Sequence, residues 1–173
     1  MKLNVPYYSQ YLDVSDPFWM LRACGAVSFK MVAEFQGVEV PDIITLCNEA
    51  RDKGGYDMTN GWVHDYLVTK AQGLGLHAER KEGLTDIKEI TDFLDAGNPI
   101  IVSVEKKVLE QTRFHMLVIV GYEIKTNPES LVPVTYFYYH EPESTDKDRG
   151  AYRMCDMKTF MDYWRGKAIF VSK

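Results

Sequence analysis

Three cysteines and four histidines are the side chains of this 173-residue chain best suited to nucleophilic or acid–base chemistry. A cysteine attacks as its thiolate, which helix N-termini and cationic neighbours favour and apolar burial opposes. Cys47 falls in the apolar stripe of a helix with Ile43, Ile44 and Leu46 and reads as core. Cys155 precedes Asp156 at a helix start, where the neighbouring carboxylate disfavours an anion. Cys24 opens the helical run CGAVSFKMVAEFQ, so the macrodipole favours negative charge at its sulfur. Gly25 follows, and its missing side chain leaves room for a substrate backbone.

Of the histidines, His64 on a helix and His77 beside a glycine-rich turn read as surface or packing residues. His115 opens the apolar strand 115–122, and His140 closes the strand 134–139. If these strands pair through a turn at Asn127-Pro128, the register centres on residue 128 and sets 115 opposite 141. Opposed residues stand with Cβ atoms about 4.5–5.5 Å apart, which brings Glu141 to one imidazole nitrogen of His115. A one-residue slip opposes His140 instead. A thiolate, an imidazole and a carboxylate that orients it are the parts of a nucleophilic acyl-transfer site. Such a site also needs oxyanion donors, for which the backbone N–H of Cys24 is one candidate and an upstream glutamine amide another, Gln10 being the only glutamine before that cysteine. A metal site drawn from His115, His140 and Glu141 lacks HExxH or paired-cysteine spacing, so neither a metal nor a cofactor is assigned.

Helices come first in the elements that must position these residues. Cys24 to Gln36 is closed by Gly37; Pro41 suits the first turn of the next helix; a third runs from near Asn60 through Trp62, Val63, Tyr66 and Leu67 to Gly73. Asp86, with Glu89 three residues on, opens a fourth that stops at Gly97-Asn98-Pro99. Strand-like runs follow at 99–104, 115–122 and 134–139, then a short helix capped by Asp156 and a final strand from Ala168 to Val171. Helices collected ahead of an antiparallel meander predict an α+β fold. Residues 1–173 read as a single domain, with a helical lobe over about 20–97 and a sheet lobe over about 98–173.

Composition narrows the partners. Hydrophobic residues make up 46% and charged residues 26%, an ordinary globular balance. A net charge of −5 and pI near 5.4 speak against nucleic acid as a partner. No apolar stretch is long enough to span a membrane, and the start MKLNVPYYSQ has no apolar signal region. As written the chain reads as cytoplasmic, and as secreted or cell-surface only if a signal has been removed. The sequence assigns no oligomeric state.

The same residues carry a resemblance. The chain resembles papain-like cysteine peptidases of the bacteriocin-processing, double-glycine leader type, in their stand-alone bacterial form. The likeness runs through AsnValProTyrTyrSerGln at 4–10, AlaCysGlyAlaValSerPheLysMetVal at 23–32 and GlyTrpValHisAspTyrLeuVal at 61–68. It continues in GlyAsnProIleIleValSerVal at 97–104, HisMetLeuValIleValGlyTyr at 115–122, HisGluPro at 140–142 and TyrTrpArgGlyLysAlaIlePheVal at 163–171. The resemblance implies a papain-like fold with Cys24 as nucleophile, His115 as base, Glu141 as orienting acid and Gln10 as oxyanion glutamine. Two positions depart from the family pattern: Glu141 stands where an Asp-Pro pair is usual, and Phe114 where glycine is common before the histidine.

Gly25, Trp62 and Phe114 are the residues expected to meet substrate, which would be a peptide or protein. The acidic loop 141–149 reads as a solvated connection in which Glu141 alone is functional. The leading expectation is a thiol hydrolase cleaving a peptide or related amide bond. An amidase or acyl transferase on the same three residues, and a silent peptide-binding relative, stand as alternatives.

Overall fold

The computed structural model describes residues 1–108 and 111–173. A short helix α1 (Pro17–Met20), capped by Asp16, leads into α2 (Cys24–Phe35) and α3 (Ile43–Asp52). The hairpin β1 (Tyr56–Asp57) and β2 (Gly61–Trp62) precedes α4 (His64–Gly73), β3 (His77–Lys81) and α5 (Lys88–Asp95). The long strands β4 (Ile100–Val108), β5 (Gln111–Thr126) and β6 (Pro133–His140) follow. Then come α6 (Lys147–Gly150), β7 (Arg153–Asp156), α7 (Met157–Tyr163) and β8 (Trp164–Ser172). Six strands form one antiparallel sheet in the order β3-β8-β4-β5-β6-β7.

Both faces of this sheet are covered, which explains why its central strands are continuously apolar rather than alternating. Ile101, Val118, Val120, Ile169 and Val171 pack with Val27, Met31, Val32 and Leu67 of α2 and α4. The intervening residues Ile100, Val102, Leu117, Ile119 and Phe170 pack on the other face with Ile90, Leu94 and Phe160 of α5 and α7. The period-2 alternation of strand side chains thus feeds two cores at once. Among the described residues no helix is long and apolar enough to cross a membrane.

Several elements differ from the sequence reading. Pro41 lies outside α3, because Asp42 takes the N-cap and its carboxylate accepts from Thr45 N–H at 3.0 Å. Trp62 is in β2, not on a helix, since Gly61 sits at φ +81° and breaks the helical run. β3 has no counterpart in the sequence reading: its sequence HAERK lies on the sheet edge, where three of its five side chains are exposed and an apolar pattern is not needed. β3 comes from the half of the chain read as helical, and α6 and α7 from the half read as sheet.

The β5–β6 hairpin is also displaced. Its connection spans 127–132, with the Asn127 side chain accepting from Glu129 and Ser130 N–H and Leu131 at φ +56°. Pairing is therefore centred between 129 and 130, from Thr126 opposite Pro133 to Gly121 opposite Tyr138. A bulge at Val120 then moves the centre to 129, with Ile119 opposite Tyr139 and Val118 opposite His140. Its carbonyl, freed from the ladder, accepts from Leu3 N–H at 2.8 Å. Carried one residue past the end of β6, this register sets Glu141 opposite Leu117, diagonal to His115 on the same face. Without the bulge Glu141 would fall on the opposite face.

Candidate active site

Cys24 is the first residue of α2, and Ala23 before it supplies no side-chain cap, so the helix N-terminus lies at the sulfur's own backbone. The turn ahead of it is pinned by Trp62, whose Nε1 donates to Arg22 O at 2.7 Å. Trp19, Tyr56 and Trp62 meet edge to face and support that wall. Gly25 has a different use from the one expected: it is buried, and a Cβ there would overlap the Trp62 indole. Its small size admits Trp62 rather than a substrate backbone. Trp62 itself borders a cleft of about 420 Å³ that also contains Cys24, His64, Phe114 and His115.

His115 stands in β5, buried, with its Nε2 2.5 Å from Glu141 Oε1. That contact leaves Nδ1 as the nitrogen open to a second partner, and Cys24 borders the same cleft. Burial works against a charged imidazole here, but the hydrogen bonds and negative charge from Cys24 and Glu141 outweigh it and raise His115 to about 9. Glu141 is likewise buried, and its burial is overcome by His115 and Lys106, which hold its carboxyl well below the usual range.

Both carboxylate oxygens of Glu141 are occupied. Oε1 also accepts from Glu143 N–H at 2.9 Å, and Oε2 pairs with Lys106 Nζ at 2.8 Å. Lys106 reaches Glu143 Oε2 at 3.1 Å, and Arg113 Nη2 reaches the same oxygen at 2.6 Å. The Glu141 backbone is fixed too: its N–H donates to Gly150 O at 2.9 Å, and its carbonyl accepts from Tyr7 Oη at 2.8 Å. Glu143 corrects the reading of its loop as merely solvated, since its side chain is only 9% exposed.

Gln10 is fully buried and does not border the cleft. Its backbone N–H donates to Pro142 O at 2.8 Å and its Nε2 to Met20 O at 2.9 Å. It therefore ties the segment carrying Glu141 to the turn that leads to Cys24. Its Oε1 has no partner among the described residues. His140 is excluded as the base by its bonds: Nε2 donates to Val5 O at 3.0 Å, and Nδ1 accepts from Tyr152 N–H at 3.1 Å. Burial lowers its pKa, so it stays a neutral tether for the N-terminal segment.

The other cysteines lie apart. Cys47 is buried, and desolvation pushes its thiol up strongly. Burial, then the Asp156 charge, pushes Cys155 up to about 11. Among the described residues no group of three or more His, Cys, Asp or Glu could hold a metal ion. Sequence reasoning missed Lys106, which pairs with Glu141, and Arg113 and Arg165, which border the cleft. The first two lie on neighbouring β4 and β5 and pair across the sheet, a relation that only the β4–β5 register would have disclosed.

The matching family profile, the Peptidase_C39 like family, covers residues 2–168. Among solved structures, the chain is similar to a double-glycine-motif protease from an AMS/PCAT transporter in complex with its leader peptide. The TM-score is 0.63 at 18% identity, over 99% of this chain and 94% of that one. It is also similar to the peptidase domain of Streptococcus mutans ComA, with a TM-score of 0.51 at 18% identity, over 88% of this chain and 93% of that one. No curated protein sequence matches the chain. The fold shared with these domains is the papain-like α+β arrangement. The chain belongs to the Peptidase_C39 like family and is a cysteine peptidase-like hydrolase.

Proposed function

We propose that residues 1–173 act as one peptidase unit that cleaves a peptide or related amide bond through an acyl-enzyme on Cys24. One observation carries the reading: an imidazole bordering the cysteine's cleft is held through Nε2 by a buried carboxylate at 2.5 Å. Cys24 gives its proton to Nδ1 of His115, and the sulfur attacks the carbonyl carbon. The tetrahedral oxyanion takes a hydrogen bond from the Cys24 N–H at the helix N-terminus. Gln10, the second donor expected from the sequence, is buried away from the cleft with its Nε2 on Met20 O, so in this reading it supports the Cys24 turn and does not donate to the oxyanion. His115 then protonates the leaving amine, and a water activated by the same imidazole releases the acid. Glu141 stabilises the imidazolium and fixes which ring nitrogen faces the sulfur. Likeness to a transporter protease captured with its leader peptide supports a peptide substrate.

Incubation with p-nitrophenyl esters of short N-acylated peptides, acid quenching and intact-mass spectrometry tests this. A single acyl adduct on Cys24, absent from Cys24→Ala and discharged by water, is expected. An adduct discharged to an added amine in preference to water would make the chain a transferase. Peptide binding without any adduct would make it a silent binding domain.

A further inference from the structure

β8 carries two more residues than its partner at the cleft. Trp164 pairs with Val104 and Lys167 with Ser103, so Arg165 and Gly166 form a bulge between them. Gly166 sits at φ +63°, and a Cβ there would come 2.6 Å from Leu84 O, so glycine alone closes this bulge. Bulges beside active sites re-aim side chains, and this one sends Arg165 into the cleft that holds Cys24 and His115. Its Nη1 donates to the Oγ of buried Ser103 at 2.9 Å, and its guanidinium lies 3.5 Å from the centroid of the Phe114 ring. Phe114 is 51% exposed and immediately precedes His115, so the guanidinium is stacked next to the imidazole's own backbone.

No carboxylate pairs with Arg165 among the described residues. The acid in the cleft, Glu143, is already neutralised by Arg113 and Lys106. On the helical wall Arg22 is held in a similar way, by Phe18 O at 2.9 Å and the Phe18 ring at 4.4 Å, again with no carboxylate ion pair among the described residues. A protein of net charge −5 therefore presents two guanidinium groups in its cleft with no directly paired carboxylate among the described residues, Glu105 acting on Arg165 only from beyond ion-pair distance. His64 in the same cleft is lowered to about 4 by burial first and then by the charges of Lys167, Arg165 and Arg80, of which Arg165 alone borders the cleft.

We propose that Arg165, with Arg22 on the facing wall, forms a carboxylate-binding subsite that selects peptides bearing an acidic group beside the scissile bond. The guanidinium keeps Nη2 and Nε for a two-point contact after Nη1 is committed to Ser103. Stacking on Phe114 and the bond to Ser103 fix its plane before substrate arrives, which reduces the ordering that binding requires. An aspartate or glutamate side chain and a free C-terminal carboxylate offer the same chemistry. The subsite rests on the peptidase reading for its place beside a cut bond, but its binding is measurable without cleavage.

The test uses immobilised Cys24→Ala protein, residues 1–173, and random dodecapeptide libraries. One library contains Asp and Glu, another has Asn and Gln in their place, and each is made with free and amidated C-termini. Retained peptides are read by mass spectrometry, and cleavage of the same libraries by wild type is followed in parallel. Acidic members should be retained about tenfold or more over their amide counterparts, the worth of one charge-assisted contact. Arg165→Gln should abolish that ratio and Arg165→Lys should retain part of it. Enrichment dependent on Asp and Glu identifies a side-chain carboxylate; enrichment dependent only on the free terminus identifies an exopeptidase-like subsite. Equal retention of acidic and amide libraries, including no retention, or an acid preference unchanged in Arg165→Gln, overturns the proposal. Acid-selective binding with no cleavage by wild type would instead leave the subsite standing and sink the peptidase reading.

Discussion

Lys106 and Glu141 form an ion pair 2.8 Å long on the side of the carboxylate away from His115, so the Glu141 carboxylate is gripped from both ends. The diagonal placement of Glu141 relative to His115 gives this grip its meaning. A diagonal neighbour across a sheet is farther away than a direct one, and the extra methylene of glutamate covers that distance. Glutamate in place of the family's usual aspartate is thus matched to the local register.

Substitutions at Glu141 separate charge from reach. Glu141→Gln keeps the shape but removes the charge that stabilises the imidazolium, and kcat/KM should fall by about tenfold to about 10⁴-fold, the upper end being that of Asp-to-Asn in a serine triad. Glu141→Asp keeps the charge but falls short of spanning His115, Lys106 and Glu143 N–H together, so it should be slower than wild type. An Asp variant faster than wild type in steady-state assays would mean the glutamate is a defect.

Lys106→Met should lower kcat/KM by about tenfold, the loss of one charge-assisted contact that holds Glu141. Its effect on pH should be opposite in sign to that of Glu141→Gln. Removing a cation near His115 raises the imidazole further, whereas removing the Glu141 charge lets burial lower it. The alkaline limb of the rate profile should therefore move up in the first variant and down in the second.

For wild type, that alkaline limb should fall near pH 9, where the His115 imidazolium loses its proton. The stability linkage has the same direction. A histidine raised from 6.5 to about 9 on folding contributes fully below pH 6.5, and the contribution is lost as pH rises through 9. Glu141, lowered on folding from 4.5, contributes above that value and loses its contribution as pH falls below it. Urea midpoints at pH 7 and pH 10 should show the alkaline loss in wild type and a smaller one in His115→Ala.

Gly25→Ala tests the wall beside Cys24. The added methyl would overlap the Trp62 ring, displacing the indole that fixes Arg22 O. Overpacking of this kind costs about 1–3 kcal/mol, and activity should fall together with stability in a urea titration. If Gly25 instead served substrate access, KM would rise with stability unchanged.

Much of this site was legible in the sequence because it depends on local signals. Cys24 at a helix start followed from the apolar spacing of Val27, Met31 and Val32, and the strand opening at His115 from the unbroken run behind it. The pairing of His115 with Glu141 was reached through a register that the structure corrects. The loop 127–132 and the bulge at Val120 shift the strands by an amount that preserves the face. Turn geometry of that kind depends on Asn127 side-chain bonds and on the Leu3 contact, neither visible in an apolar pattern. Lys106, Arg113 and Arg165 were missed for the same reason. A surface cation looks alike in sequence whether it is solvated or held on a buried carboxylate, and only the strand register and the β8 bulge separate the cases.

The most direct measurement is brief iodoacetamide alkylation at pH 6, with peptide mass spectrometry of each cysteine in wild type and in folded His115→Ala. Burial holds Cys47 far from its thiolate, and Cys155 is pushed up to about 11, so neither should react first. Cys24, bordering the open cleft beside an imidazolium, should be modified well ahead of both, and its rate should drop about tenfold or more in His115→Ala. Earlier labelling of Cys155 or Cys47, or an unchanged Cys24 rate without His115, would contradict the assignment of Cys24 and His115 as the reacting pair.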